Sequence, residues 1–216
     1  MRTTLLAALL ATLTACFGRG PVPRINYYAL SPPDAVARAG VAPAIAVEEL
    51  RAQAPYDERR IVHRTGPYQL SYHEYDQWAA APGVLVAEYL RRAYQASGRF
   101  GLVLPQAGAD TTAILGGQVL AFEELGGPRD GKAKPTGTAP GKARVVLDLE
   151  LRDAETGRIL WTRRAEKELP LTSRDPAALA AALSKALGEI AAATATEVAS
   201  AAGTATAAKE PPVTGG

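Results

Sequence analysis

The sequence predicts an α/β layered domain built on a mixed, partly antiparallel sheet with two main amphipathic helices. Three observations carry that reading. Residues 143–152 place Val145, Leu147, Leu149 and Leu151 in alternation with Arg144, Val146, Asp148 and Glu150, the period of a strand with one buried face. Near the C-terminus, Leu179, Leu183, Leu187, Ile190, Thr194 and Val198 recur at steps of three and four, the period of a helix with one apolar stripe. Finally, strand-like runs lie on both sides of an earlier helical segment, so separated strands pair through crossovers while the late strands pair as a meander. A composition of 47% hydrophobic and 21% charged residues in 216 suits a single core and excludes disorder throughout.

In chain order, residues 44–50 read as a first core strand with Ile45 and Val47 on one face. Residues 60–64 and 68–72 flank Thr65-Gly66-Pro67, whose Gly and Pro supply a hairpin turn. Pro82 is an acceptable first-turn residue and Ser97-Gly98 a stop, which delimits a helix with Val86, Tyr89, Leu90 and Ala93 as its buried stripe. Residues 101–104 and 112–125 read as strands. Between them and the clearest strand lies the segment 126–142, where Arg129, Lys132, Lys134 and Lys142 outweigh Asp130, and it reads as a mobile basic loop. Thr156-Gly157 then makes a turn, and residues 158–169 return as a hairpin partner with Ile159 and Trp161 on one face. Asp175 caps the last helix and Pro176 opens it. The domain proper is expected over residues 27–202, and residues 203–216, small and Pro-rich with no apolar period, as a disordered tail.

The single cysteine fixes the other end. Met1-Arg2-Thr3-Thr4 precedes an apolar run over residues 5–15, which leads straight into Cys16. As a helix that run rises about 16 Å, only about half of a hydrocarbon core roughly 30 Å thick, so residues 1–15 read as a cleaved secretory signal rather than a spanning helix. Leu13-Thr14-Ala15-Cys16 resembles the bacterial lipobox, whose cysteine is diacylated on sulfur and becomes the new N-terminus. Acyl chains would then hold Cys16 to a phospholipid membrane, and residues 16–26, with Gly18, Gly20, Pro21 and Pro23, form a short tether. Phe17 follows the cysteine where many inner-membrane lipoproteins carry Asp, so the outer membrane, facing the periplasm of a Gram-negative envelope, is the expected location. One cysteine also excludes a disulfide framework, a CxxC pair and a Cys-rich zinc site.

Tests for chemistry return little. A formal charge of +2 gives no footprint for nucleic acid. Gly126-Gly127-Pro128-Arg129-Asp130-Gly131-Lys132-Ala133 matches GxxxxGK but ends in Ala where a magnesium-binding Ser or Thr belongs, and prolines follow where a helix should start. His63 and His73 lie on neighbouring predicted strands with Glu74 and Asp76 beside the second, yet no third nitrogen ligand or HExxH pattern accompanies them, so they read as hairpin residues and not as a metal site. There is no GxSxG elbow. Adjacent acids such as Glu48-Glu49 and Glu123-Glu124 point to opposite faces of a strand and cannot share one substrate atom. Tyr72, Tyr75, Trp78, Tyr89 and Tyr94 gather around the hairpin and first helix, where packing is the default role. What remains is no catalytic residue, no cofactor, Cys16 for lipid attachment, and Arg129, Lys132, Lys134 and Lys142 for contact with a partner or with lipid head groups.

One stretch carries a resemblance. Ile61-Val62-His63-Arg64, then the tyrosines at 72 and 75, then Trp78-Ala79 and Pro82 opening a helix, resemble the ABC-type transport auxiliary lipoprotein family of the PqiC type, and Tyr27-Tyr28-Ala29-Leu30 is similar to its YYxL start. The resemblance spans about residues 16–200, and its motifs are structural. It implies a three-layer mixed-sheet fold like the N-terminal domain of TolB. It also implies a non-enzymatic lipoprotein that works with an MCE-type periplasmic protein, an ABC permease and its ATPase to move lipids between the inner and outer membranes, and that can assemble as a homo-oligomeric ring. A similar small α/β lipoprotein fold serves as an activator of peptidoglycan synthases, which is the alternative. An envelope hydrolase would need a nucleophile or metal that the sequence does not show.

Overall fold

The structure, a computed structural model, describes residues 23–34, 43–126 and 141–209. Its elements are β1 (Asn26–Tyr28), β2 (Ala44–Val47), β3 (Arg51–Ala52), β4 (Arg60–Gly66), β5 (Gln69–Trp78), α1 (Pro82–Ala96), β6 (Leu102–Leu104), β7 (Ala113–Leu125), β8 (Lys142–Asp153), β9 (Ile159–Pro170) and α2 (Pro176–Lys209). The nine strands form one mixed sheet with β7 as its spine. Along one edge β7 pairs antiparallel with β8, from Ala113↔Asp153 to Leu125↔Lys142. Its other edge takes three strands in series, all parallel: β2 against Ala113 to Leu115, β3 against Gln118 and Val119, and β4 against Glu123 to Leu125. Beyond these lie β6, parallel to β2, and the β4–β5 hairpin with β1 parallel to β5. On the opposite side β9 closes the sheet, antiparallel to β8.

Both helices start as their sequences direct. Pro82 stands in the first turn of α1, and the helix closes at Ser97 with Gly98 at φ 67°, a left-handed conformation that glycine adopts without steric cost. The Asp175 carboxylate accepts the Ala178 N–H at 2.8 Å and caps α2. The two helices lie against each other and against one face of the sheet: the Tyr94 and Thr194 hydroxyls meet at 2.8 Å, and the Tyr89 hydroxyl abuts Gly188. Val145, Leu147, Leu149 and Leu151 of β8 and Leu179, Leu183, Leu187, Ile190, Thr194 and Val198 of α2 are all buried in this layer. Trp78 and Phe122 meet edge to face at 5.1 Å and close its hairpin end. Gly117 marks a local requirement of the spine: its φ is 144°, and a Cβ there would fall 2.1 Å from the Asp148 carbonyl oxygen.

The α/β class, the mixed sheet and the two helices agree with the sequence reading, while four details differ. Where the resemblance implied three layers, the described residues form two, because α1 and α2 share one face and touch. The hairpin strands are longer, since the aromatic run Tyr72 to Trp78 continues β5 instead of leaving it. Ile159 and Trp161 do not share a face: the β8–β9 register shifts between Leu151↔Trp161 and Arg152↔Ile159, which leaves Ile159 exposed. The last helix continues to Lys209, past the expected end at residue 202, because alanine is the best helix former and Ala202 and Ala205 stay buried one turn apart.

Candidate functional site

Lys142, the one predicted site residue among the described residues, lies at one end of the sheet. There the β4–β5 turn projects, β7 ends and β8 begins. The Gly126 N–H donates to the Arg64 carbonyl at 3.1 Å and the Leu171 N–H to the Gly141 carbonyl at 2.8 Å, which ties both flanks of residues 127–140 to the sheet. A Cβ on Gly126 would lie 3.2 Å from the Gly141 Cα, so the chain leaves and re-enters the domain at one point. Lys142 is exposed, with its Nζ 3.1 Å from the Glu168 carboxylate across β8 and β9. Cys16, Arg129, Lys132 and Lys134 lie outside the described residues, as does most of the GxxxxGK match.

Beneath this end the two histidines do come together, with ring centroids 6.2 Å apart. His63 Nε2 donates to the Gly126 carbonyl at 2.8 Å, while the buried His73 ring sits 3.3 Å from a Glu124 oxygen and 3.7 Å from an Asp76 oxygen. Glu74 turns away and accepts from the Tyr75 hydroxyl at 2.6 Å. Among the described residues no group of three His, Cys, Asp or Glu side chains could hold a metal ion. The arrangement fixes the histidines in the packing between hairpin and spine, and Glu124, which the sequence reading did not connect to them, supplies the acceptor.

Glu123 and Glu124 take different partners on the two sides of β7. Glu123 is fully buried and accepts from the Tyr56 hydroxyl at 2.7 Å and from Arg64 Nε at 3.0 Å, with Arg144 at 3.6 Å. Burial first, and then the hydrogen bond to Glu123, pushes the Tyr56 phenol up to about 12, and the same carboxylate raises Arg64. This network clamps the turn before β4 onto the spine. Above it, the hairpin carries an exposed aromatic and apolar surface: Tyr68 is fully exposed at the turn, and Leu70 and Tyr72 follow on β5, with the Arg60 guanidinium 3.8 Å over the Tyr72 ring.

A concavity of about 610 Å³ opens where β2 gives way to β3. Glu48, Arg51, Gly116, Asp148, Glu150 and Arg152 are among its lining residues, and Arg152 pairs with Glu48 at 2.5 Å. Carboxylates and guanidiniums alternate around it, and its lining contains no His, Ser or Cys. It is a charged surface cleft whose side chains offer ion pairing.

The sequence model of the ABC-type transport auxiliary lipoprotein component matches residues 28–195, from the end of β1 well into α2. No curated protein matches the chain. A crystal structure of a Xanthomonas campestris protein is 21% identical, with a TM-score of 0.65 over 84% of this chain and 99% of that one. A second crystal structure, of an uncharacterized protein, is 18% identical with a TM-score of 0.62 over 81% and 99%. These two share the fold. The family match, which covers most of the domain, carries the assignment: the chain belongs to the ABC-type transport auxiliary lipoprotein family.

Proposed function

We propose that this protein is the accessory, non-catalytic subunit of an MCE-associated system that moves lipids between the inner and outer membranes. Acyl chains on Cys16 hold it in the outer membrane with its domain in the periplasm, where it contacts an MCE-type protein served by an ABC permease and ATPase. The observation that carries this reading is the family match over residues 28–195 downstream of a lipobox-like Leu13-Thr14-Ala15-Cys16. The described surface fits such a role, since it offers charge pairs, apolar aromatics and an open sheet edge along β9. An unpaired edge is a template for pairing with another chain, which supports assembly of copies into a ring. Arg129, Lys132, Lys134 and Lys142 supply cationic contacts to a partner or to lipid head groups.

The anchor is tested by Cys16→Ala. Envelope fractionation should find the variant uncleaved or released from the outer membrane, because the acyl acceptor is gone. Normal retention of that variant in the outer membrane would overturn the anchor. Capture of a peptidoglycan synthase in place of transport components would redirect the assignment to synthase activation.

A further inference from the structure

The direction of β1 says which end of the domain faces the membrane. β1 is parallel to β5, with Asn26↔Asp76 and Tyr28↔Trp78, so the chain before Asn26 heads toward the β4–β5 turn and not toward the helix end of β5. From Asp76 to Tyr68 is eight residues of β5, about 26 Å at strand rise. The ten residues from Cys16 to Ile25 span at most about 36 Å, so Cys16 can stand level with the turn without unravelling β1. The Gly126 and Gly141 flanks sit at this same end, and the sequence between them is net cationic.

Resting on the lipid anchor at Cys16, we infer that the β4–β5 turn is a membrane contact: Tyr68, followed by Leu70 and Tyr72, seats in the head-group layer of the bilayer that holds the acyl chains. Tyrosine suits that depth, because its ring is apolar and its hydroxyl remains hydrogen-bonded among head groups. Tyr68 is fully exposed at the turn, and Leu70 and Tyr72 are 37% and 38% exposed on β5 behind it. The Arg60 guanidinium stacks on the Tyr72 ring and is itself held by the Glu58 carboxylate at 2.6 Å, so the contact rests on the aromatic and apolar side chains and the bilayer that fits is an ordinary phospholipid one. The long axis of β7 then stands across the membrane surface normal to it, and the far end of the sheet, where β9 begins at Ile159, points into the periplasm. β9 is 12 residues long, so that far end lies about 40 Å from the membrane-facing end.

The test uses the full-length acylated protein, in which the Cys16 sulfur is blocked, with one introduced thiol at a time. Gly66→Cys leaves Tyr68 in place, and nothing lies within 4 Å of a Cβ there. Ile159→Cys marks the exposed opposite end. Each variant is nitroxide-labelled and reconstituted into phosphatidylethanolamine vesicles containing phosphatidylglycerol, and collision rates with oxygen and with an aqueous nickel chelate are measured. The label at position 66 should lose most of its nickel collisions and gain oxygen collisions relative to position 159, and substituting Tyr68→Ser in the Gly66→Cys background should shift position 66 back toward the aqueous value. Protein that floats with the vesicles while both positions remain equally open to nickel overturns the membrane contact and leaves the anchor standing. Protein that does not float overturns both.

Discussion

Removing the buried carboxylate of Glu123 is the sharpest perturbation of the fold. Glu123 is the common acceptor for Tyr56 and Arg64; it is fully buried, and Tyr56 is 5% exposed. Breaking a buried pair by deleting one partner costs about 3–5 kcal/mol, since the other partner keeps its desolvation without its compensation. Arg64 keeps 27% of its side-chain surface and can rehydrate, whereas the Tyr56 hydroxyl cannot, so Glu123→Ala should sit near the lower end, about 3 kcal/mol. For a domain of this size that is a fall in Tm of about 6–12 °C. Glu123→Gln keeps an oxygen for the Tyr56 hydroxyl and loses only the charge, so it should cost less and lower the Tyr56 pKa from about 12. Chemical denaturation gives the first quantity and tyrosinate absorbance against pH the second. A Glu123→Ala protein within about 0.5 kcal/mol of the parent would refute the clamp, because that is the ordinary spread for surface substitutions.

Other expectations follow from the same interior. The Tyr56 and Tyr94 phenols are both raised from 10.0 to about 12, chiefly by burial, so their contribution is complete below pH 10 and is lost as pH rises through 12; denaturation midpoints should fall steeply across that window, and a flat profile would contradict the assigned burial. Because Gly126 and Gly141 nearly touch, replacing residues 127–140 with two glycines should raise stability by about 1–2 kcal/mol through the shorter loop closure, and a large fall in Tm would show that the excised segment packs on the domain. Gly117→Ala should be strongly destabilising or prevent folding, since its Cβ would lie 2.1 Å from the Asp148 carbonyl at a φ of 144°; near-normal stability would mean that the spine accommodates a side chain there.

Much of the fold was legible because its period is strong. The α2 stripe matches the buried residues and the β8 alternation does so except at Val146, which is buried although it falls among the polar positions, and Asp175, Pro82 and Gly157 act at the ends that their chemistry suits. The short parallel strands were less legible. β1 and β3 have three and two residues, too few to carry a period, and they exist only because β5 and β7 offer them an edge. The bulge that exposes Ile159 left no mark in composition, and the helical end of α2 was hidden by an alanine-rich stretch whose helix propensity competes with its lack of apolar pattern. Of the site, the sequence brought His63 and His73 onto neighbouring strands but could not pair His73 with Glu124, because that contact depends on the parallel register of β4 against β7. Tyr56, Arg64 and Glu123 were separated in the chain for the same reason. Two adjacent acids inside an apolar strand were the available hint that buried partners awaited them.

Detergent extraction of the acylated protein from intact envelopes, followed by affinity purification and identification of what comes with it, tests the central claim most directly. An accessory subunit should bring an MCE-type protein together with its permease and ATPase, and Cys16→Ala should lose that association along with the membrane. A stable complex that contains no transport component would contradict the account.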